Sequence, residues 1–136
     1  MKIIALDLGD QWVGIAMTDI SRILARPHTT VALAELETFL TKILIDEPIS
    51  IVVVGYPQTL RGTESEQTKK IVVQKEALEK KFDSVEWVFW DERLSSKQAK
   101  TVGKKGDKYH IHAKAAAVIL DAYLARLRFT EEMNNS

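Results

Sequence analysis

Alternation of apolar and small side chains predicts three strands at the start of the chain. Residues 3–8 are mostly aliphatic and end at Gly9, which predicts a buried strand. Residues 12–19 alternate apolar with small side chains and predict a second strand, which can pair with the first only as an antiparallel hairpin. A third strand is predicted over residues 24–31, where Pro27 favours a position at the edge of the sheet.

The rest of the chain alternates helical and strand patterns. Residues 33–47 repeat apolar side chains three and four positions apart, as an amphipathic helix does. The aliphatic run 51–54, closed by Gly55, predicts a central strand that is covered on both faces. The later predicted elements are a helix from a capping-box sequence at residues 63–66 to about residue 82, a strand over 85–90, a short helix capped by Ser95 or Ser96, and a last helix over about 111–129.

This order of elements predicts one α/β domain. A hairpin of strands followed by strands joined through helices gives a mixed five-stranded sheet, antiparallel at one side and parallel at the other, with helices on both faces. The 136 residues suit one domain and show no repeat or linker. We therefore expect residues 1–136 to form a single domain, with residues 131–136 as a frayed tail.

Composition and charge exclude some classes of site. The 19 lysines and arginines balance the 19 acidic residues, so any argument for nucleic-acid binding must come from local charge. The absence of cysteine excludes disulfides and thiolate metal sites. The first residues lack the long apolar core of a secretion signal, and no run reaches the roughly eighteen apolar residues of a membrane helix. We therefore expect a cytoplasmic protein without membrane contact.

Two carboxylates fall at the ends of predicted strands. Asp7 lies in an otherwise apolar strand, where a charge is costly unless it is paired or bound to a metal. Its alternative role is to bond the backbone of the turn that follows. Glu92 follows the fifth predicted strand, and ligands gather at the carboxyl ends of parallel strands. Glu92 could instead be a helix-start carboxylate paired with Arg93, and Asp91 competes with it for either role.

His112 stands at the start of the last predicted helix. It shares a helix face with Ala115 and Ala116, which are small enough to allow close approach to the sheet, so it could point into a site near Asp7. The alternative is a histidine that only hydrogen-bonds locally. Two carboxylates and a polar residue on a packed helix can hold divalent cations, which can activate a water molecule and stabilise the leaving oxygen of a phosphodiester.

Four blocks of sequence carry a resemblance to a known family. They are Leu6-Asp7-Leu8-Gly9 with Val13-Gly14-Ile15-Ala16, then Val52-Val53-Val54-Gly55-Tyr56-Pro57 with Gly62-Thr63-Glu64, then Asp91-Glu92-Arg93-Leu94-Ser95-Ser96, and finally Ala115-Ala116-Ala117-Val118-Ile119-Leu120. In this order, and over nearly the whole chain, they resemble the YqgF/RuvX family. Four motifs in register make the match far more specific than an Asp-x-Gly sequence alone.

The resemblance implies an RNase H-like fold and a metal-dependent nuclease. The family is linked to maturation of the 5′ end of pre-16S rRNA and, in some members, to Holliday-junction resolution. Its acidic residues map onto Asp7 and Glu92, whereas its third, often an aspartate, maps onto His112. The resemblance therefore implies catalytic and metal-binding roles for Asp7, Glu92 and His112, with Mg²⁺ or Mn²⁺ as cofactor. An imidazole ligand would suit Mn²⁺ better than Mg²⁺.

The neutral total charge hides a basic stretch before the last helix. Residues 97–114 hold one acid, Asp107, and the lysines Lys97, Lys100, Lys104, Lys105, Lys108 and Lys114. With Arg61, this stretch could bind the phosphates of pre-rRNA or branched DNA, although a solvated loop has the same composition. Trp87 and Trp90 could stack on bases, but their position in a strand favours core packing.

Three functions are compatible with these patterns. A metal-dependent nuclease fits best, with pre-rRNA or branched DNA as substrate. The second is a catalytically weak binding protein that keeps the fold and lacks the third acid. The third is an ATP-handling enzyme, because an Asp-x-Gly hairpin also opens the actin and sugar-kinase fold, but that fold usually needs two lobes. The oligomeric state stays open: a junction resolvase favours a homodimer, and an rRNA nuclease can be a monomer.

Overall fold

Five strands form one mixed sheet in the spatial order β3-β2-β1-β4-β5. The computed structural model describes residues 1–9, 11–56, 66–91 and 108–134. The strands are β1 (Lys2–Leu8), β2 (Trp12–Thr18), β3 (Ala25–Ala32), β4 (Ile49–Tyr56) and β5 (Glu86–Asp91). Strand β1 pairs antiparallel with β2 and parallel with β4, which confirms the predicted mixed sheet. Strand β3 is at the edge, and Pro27 lies at a shift in its pairing with β2, as expected for proline.

Three α-helices are described, and two of them begin or end away from the predicted positions. They are α1 (Leu36–Asp46), α2 (Glu66–Lys81) and α3 (Lys108–Asn134). The helix predicted from residue 33 begins with a 3₁₀ turn, Leu33–Glu35, before α1. The short helix predicted at Ser95 or Ser96 and the start of the capping box lie outside the described residues. No helix in the described part of the chain is long and apolar enough to cross a membrane.

Helix α3 is longer than predicted at both ends. It begins at Lys108 rather than near residue 111, and it continues to Asn134 instead of ending at Phe129. Residues 131–134, which the sequence places in a frayed tail, are the last residues of this helix. No glycine or proline interrupts the chain after Phe129, and glutamate and methionine are good helix formers. The Thr130 hydroxyl also donates to the carbonyl of Arg126 at 3.0 Å, which satisfies it within the helix.

The sheet separates two apolar clusters, one on each face. Successive side chains of a strand point to opposite faces, so β1 divides its residues between the two clusters. Ile4, Leu6 and Leu8 pack with the apolar side chains of α1 and α2. Ile3 and Ala5 pack with α3, whose buried residues are Ala113, Ala116, Ile119, Leu120, Tyr123 and Leu124. The small residues lie at the start of α3, so the helix backbone can approach the sheet most closely there.

The β2–β3 connection is fastened to the end of the sheet where β1 and β4 begin. Arg22 has a φ of 60°, in the left-handed region that favours glycine. Its guanidinium donates to the Met1 carbonyl at 2.7 Å and to the Ser50 hydroxyl at 2.8 Å. The Asp19 carboxylate accepts from the Ser21 hydroxyl and the Ile23 amide, and the hydrogen bond from Ser21 is the main reason that the pKa of Asp19 is lowered.

We predict that Thr18→Val destabilises the protein. The Thr18 hydroxyl oxygen is buried and accepts from the Ile3 amide at 2.9 Å, next to a shift in the β1–β4 register. Valine would leave that buried N–H without its partner, which costs about 1–3 kcal/mol. The free energy of unfolding in urea measures the loss. Thr41→Val is the matched control, because Thr41 is exposed on α1, and it should change stability by less than about 0.5 kcal/mol. Equal losses in the two variants would contradict the role of Thr18.

Candidate functional site

Asp7 lies between two glycines at the carboxyl end of β1. It is in register with Gly14 of β2 on one side and with Gly55 of β4 on the other. The row continues to Thr30 of β3 and Trp90 of β5. Because side chains alternate along β1, Asp7 shares the face of Ile3 and Ala5, which is the face that α3 covers. The carboxylate is therefore flanked on both neighbouring strands by positions without a side chain.

The turn after Asp7 is closed by backbone atoms. The Gly9 amide donates to the Trp12 carbonyl at 3.0 Å, and a Cβ at Gly9 would lie 2.7 Å from that same oxygen. Asp7 is partly exposed, and within the described residues its carboxylate has no hydrogen bond or ion pair. The alternative structural role, a side chain that bonds the turn, thus finds no support among the described turn residues.

The start of α3 rests directly on Gly14. A Cβ added to Gly14 would lie 1.8 Å from the carbonyl oxygen of His112 and 2.8 Å from the backbone nitrogen of Ala113. Ala113 is buried against the sheet, and His112 is partly exposed at the margin of the buried face. The structure therefore places the backbone of His112 against Gly14, which is the register partner of Asp7.

The third predicted residue, Glu92, follows the last described residue of β5. Asp91 ends β5 opposite Tyr56, one position beyond the pair formed by Gly55 and Trp90. The last described residue of β5 thus lies at the same end of the sheet as Asp7, and Glu92 itself is outside the described residues. The same is true of the predicted phosphate-binding residues Arg61, Lys97, Lys100, Lys104 and Lys105. Lys108 was expected in a loop and instead forms the first residue of α3.

The residues at this edge offer the donors that a hard divalent cation requires. Asp7 supplies carboxylate oxygens and His112 an imidazole nitrogen, and Glu92 would add a second carboxylate. Within the described residues alone, no three histidine, aspartate or glutamate side chains form a group that could hold a metal. Asp7 and His112 alone are therefore too few to form such a group, and a third donor would have to come from outside the described residues.

The two tryptophans of β5 serve the core, as their position in a strand predicted. The Trp87 indole donates to the Phe82 carbonyl at 2.8 Å, and its ring packs against the cluster under α1 and α2. Trp90 packs edge-on against Tyr123 of α3, with ring centroids 5.7 Å apart and planes at 75°. Its indole nitrogen is buried and has no partner among the described residues. Burial, aided by the nearby Glu86 carboxylate, raises the pKa of Tyr123.

Gly14 and Gly55 are neighbours of Asp7 that the pattern analysis did not connect with the candidate site. Gly14 appeared only within the motifs of the family resemblance, and Gly55 otherwise only as the end of the aliphatic run 51–54. A signal was available, because glycine inside a strand often marks a close approach of another backbone. What the local sequence does not show is that both glycines are neighbours of Asp7, since strand register joins residues that are far apart in the chain.

Comparisons of the sequence with known proteins identify relatives of this chain. Residues 1–126 match a family model described as "RuvX: Holliday junction resolvase". A Rubrobacter xylanophilus protein named "Putative pre-16S rRNA nuclease" is 35% identical over 127 residues, which cover 90% of this chain and 91% of that protein. A Phocaeicola vulgatus protein of the same name is 33% identical over 136 residues, covering 94% of this chain and 98% of that protein.

Solved structures show the same fold at low sequence identity. Thermus thermophilus RuvC in complex with a Holliday junction substrate has a TM-score of 0.59 and 16% identity, over 93% of this chain and 96% of RuvC. The fowlpox virus Holliday junction resolvase has a TM-score of 0.54 and 14% identity, over 93% of this chain and 99% of the resolvase. The expected RNase H-like α/β fold is thereby confirmed.

We predict that Asp7→Asn keeps or raises the stability of the metal-free protein. The substitution removes a charge from a partly buried position where no described group compensates it, and single stabilising substitutions commonly gain about 0.5–2 kcal/mol. Urea unfolding with a chelator present measures the effect. Asp19→Asn is the control, because Asp19 accepts several hydrogen bonds and its loss should lower stability. If Asp7→Asn were as destabilising as Asp19→Asn, the carboxylate would be structural.

Proposed function

The chain belongs to the RuvX family, and from this premise we propose that it is a metal-dependent nuclease that processes the 5′ end of the 16S rRNA precursor. The observation that carries the proposal is the position of Asp7, between Gly14 and Gly55 and beside the start of α3. We also propose that residues 1–136 act as a single domain, since both clusters share the central strand β1. An activity on rRNA precursors would place the protein in the cytoplasm.

Asp7, Glu92 and His112 are the residues that would hold the divalent cation. When bound, such a cation lowers the pKa of a ligated water and polarises a phosphoryl oxygen. Asp7 supplies negative charge at the centre of the row, and the missing side chain of Gly14 lets the backbone of α3 approach the sheet beside it. Ile3 and Ala5 precede Asp7 on the same face of β1 and are fully buried, so water cannot reach the carboxylate from that side.

His112 makes this chain different from a site with three carboxylates. The imidazole contributes no negative charge, so it offsets less of the cation's charge than an aspartate would. Imidazole is also a softer ligand than a carboxylate, and it favours Mn²⁺ over Mg²⁺. We infer that the enzyme works with either metal and better with Mn²⁺.

The relatives favour RNA as the substrate. Proteins that are 33–35% identical to this chain over 90–94% of its length bear the name of a putative pre-16S rRNA nuclease. The second candidate is a Holliday-junction resolvase, which the description of the matching family model favours. Both substrates present closely spaced phosphates, and the basic residues Arg61, Lys97, Lys100, Lys104, Lys105 and Lys108 would contact them.

Cleavage by the purified protein tests the proposal. With Mn²⁺, it should cut a transcript that joins the 5′ leader to 16S rRNA sequence, and Asp7→Asn should slow the cut by more than roughly 100-fold, since even outer partners of metal ligands are worth about 10–100-fold. Product lengths on a sequencing gel give the site and rate of cleavage. Asp121→Asn is the matched control: Asp121 is exposed on α3, about 13 Å along the helix from His112 at 1.5 Å per residue. Its rate should equal that of wild type.

The same assay separates the candidate functions. A four-way DNA junction cut symmetrically, with the transcript left intact, would establish the resolvase and overturn the rRNA assignment. Binding to either substrate without cleavage in both metals would point to the catalytically weak binding protein. Full activity of Asp7→Asn would remove Asp7 from the active site.

The basic stretch before α3 should contribute affinity through phosphate contacts. The pair of substitutions Lys104→Gln and Lys105→Gln should weaken binding of the transcript and reduce the slope of log K against log salt by about 1–2. Fluorescence anisotropy over a series of salt concentrations measures that slope. Lys42→Gln with Lys80→Gln removes the same charge from exposed positions on α1 and α2, on the opposite face of the sheet from α3. An equal reduction in this control would show that only net charge matters.

A further inference from the structure

The contact between Gly14 and α3 is made by backbone atoms on both sides. The nearest atoms to a Cβ at Gly14 would be the carbonyl oxygen and carbon of His112, at 1.8 and 2.1 Å, followed by the Ala113 nitrogen at 2.8 Å. Separations under 3.0 Å are essentially never seen for a real Cβ. Since none of these atoms belongs to a side chain, no rotamer change could relieve the overlap. Either β2 or the start of α3 would have to move.

The start of α3 is the part that can move. Strand β2 is bonded on one side to β1 and on the other to β3, and Val13 and Ile15 beside Gly14 are fully buried. Further along α3, the buried Ile119, Leu120 and Leu124 hold the helix on the sheet. A side chain at Gly14 would therefore tilt the first turns of α3 outward, with the later turns as the pivot.

The distance between α3 and Gly14 also sets the distance between α3 and Asp7. Gly14 and Asp7 face each other in an antiparallel pair, where Cα atoms lie only about 4.5–5.5 Å apart. His112 provides the backbone oxygen nearest to Gly14, so any outward tilt moves His112 away from the row that contains Asp7. Glycine inside a strand has a conformational cost, which a close backbone approach can justify.

We propose that Gly14 is a positioning residue for the metal site: its missing side chain sets the distance at which the first turns of α3 present His112 to Asp7. The inference rests on the proposed function, because it assumes that His112 and Asp7 bind one cation. Gly14 itself touches neither the metal nor the substrate. Its effect is exerted through the position of the α3 backbone.

Metal affinity measured without substrate tests this role. Gly14→Ala should weaken Mn²⁺ binding, measured by calorimetry, by roughly 10–100-fold, the range found when support for a metal ligand is lost. Ala16→Val is the matched control, because Ala16 is fully buried between β2 and α3 at the next position on the same face. It should lower the thermal midpoint by overpacking and leave Mn²⁺ affinity at the wild-type value. Wild-type affinity in Gly14→Ala would overturn the proposal.

A double-mutant cycle separates positioning from general loosening of the fold. If Gly14 acts by placing His112, Gly14→Ala should cause no further loss of Mn²⁺ affinity in a His112→Ala background. An equal loss in both backgrounds would show that the substitution damages the site in some other way, and it would refute the inference.

A measurement on the wild-type protein keeps the test independent of how well Gly14→Ala folds. Substoichiometric Mn²⁺ is paramagnetic and should broaden the backbone amide resonances of Asp7, Gly14 and Ala113 together, with Mg²⁺ as the diamagnetic reference. A sharp Ala113 resonance beside a broadened Asp7 resonance would contradict the proposal. Failure of the proposed function gives a different result from failure of this inference. A wild-type protein that neither binds Mn²⁺ nor cleaves RNA would overturn the proposed function and the role of Gly14 together. An active wild-type protein, with the same Mn²⁺ affinity in Gly14→Ala, would overturn only the role of Gly14.

Discussion

Strand β1 has no free face, and the rest of the molecule is arranged around that constraint. It is hydrogen-bonded on both edges, and its side chains enter two separate apolar clusters. Each cluster needs a helical cover, which α1 and α2 supply on one face and α3 on the other. Ile3, Ala5 and Asp7 are the three positions of this strand that face α3. The first two are apolar, and the third carries a charged group.

The two ends of the sheet differ in how their polar groups are hydrogen-bonded. Where β1 and β4 begin, Thr18, Asp19 and Arg22 tie strands and connection together through buried and exposed hydrogen bonds. Where β1 and β4 end, Asp7 has glycines on both sides and no bonded partner among the described residues. Hydrogen bonds thus anchor one end of the described sheet, and the candidate site lies at the other end, where the carboxyl ends of parallel strands commonly bind ligands.

Membership of the RuvX family and the contacts around Asp7 are independent observations that support the same candidate site. The relatives match this chain over nearly their whole length, so the family's architecture applies to all of it. The resemblance implies one difference in chemistry, at the start of α3, where His112 corresponds to a position that is often an aspartate. The close packing of α3 on Gly14 shows that the backbone of His112 is held against the sheet.

Local patterns in the sequence determined the five strands, the mixed sheet and the edge position of β3, because burial on one or both faces imposes its periodicity directly on neighbouring residues. They also indicated Asp7, through the conflict between a charge and an apolar run. They predicted α3 too short at both ends. At its start, a basic stretch has the composition of a solvated loop. At its end, no glycine or proline after Phe129 indicates where the helix stops. Glu92 and the lysines before α3 stay predictions from the sequence.

Only the tertiary structure decided what surrounds Asp7. Its two glycine neighbours come from β2 and β4, and the backbone of His112 reaches Gly14 from the far end of the chain. Such contacts depend on strand register and on how deeply a helix packs. Both are settled by the combined packing of residues distant in sequence, so no local pattern encodes them.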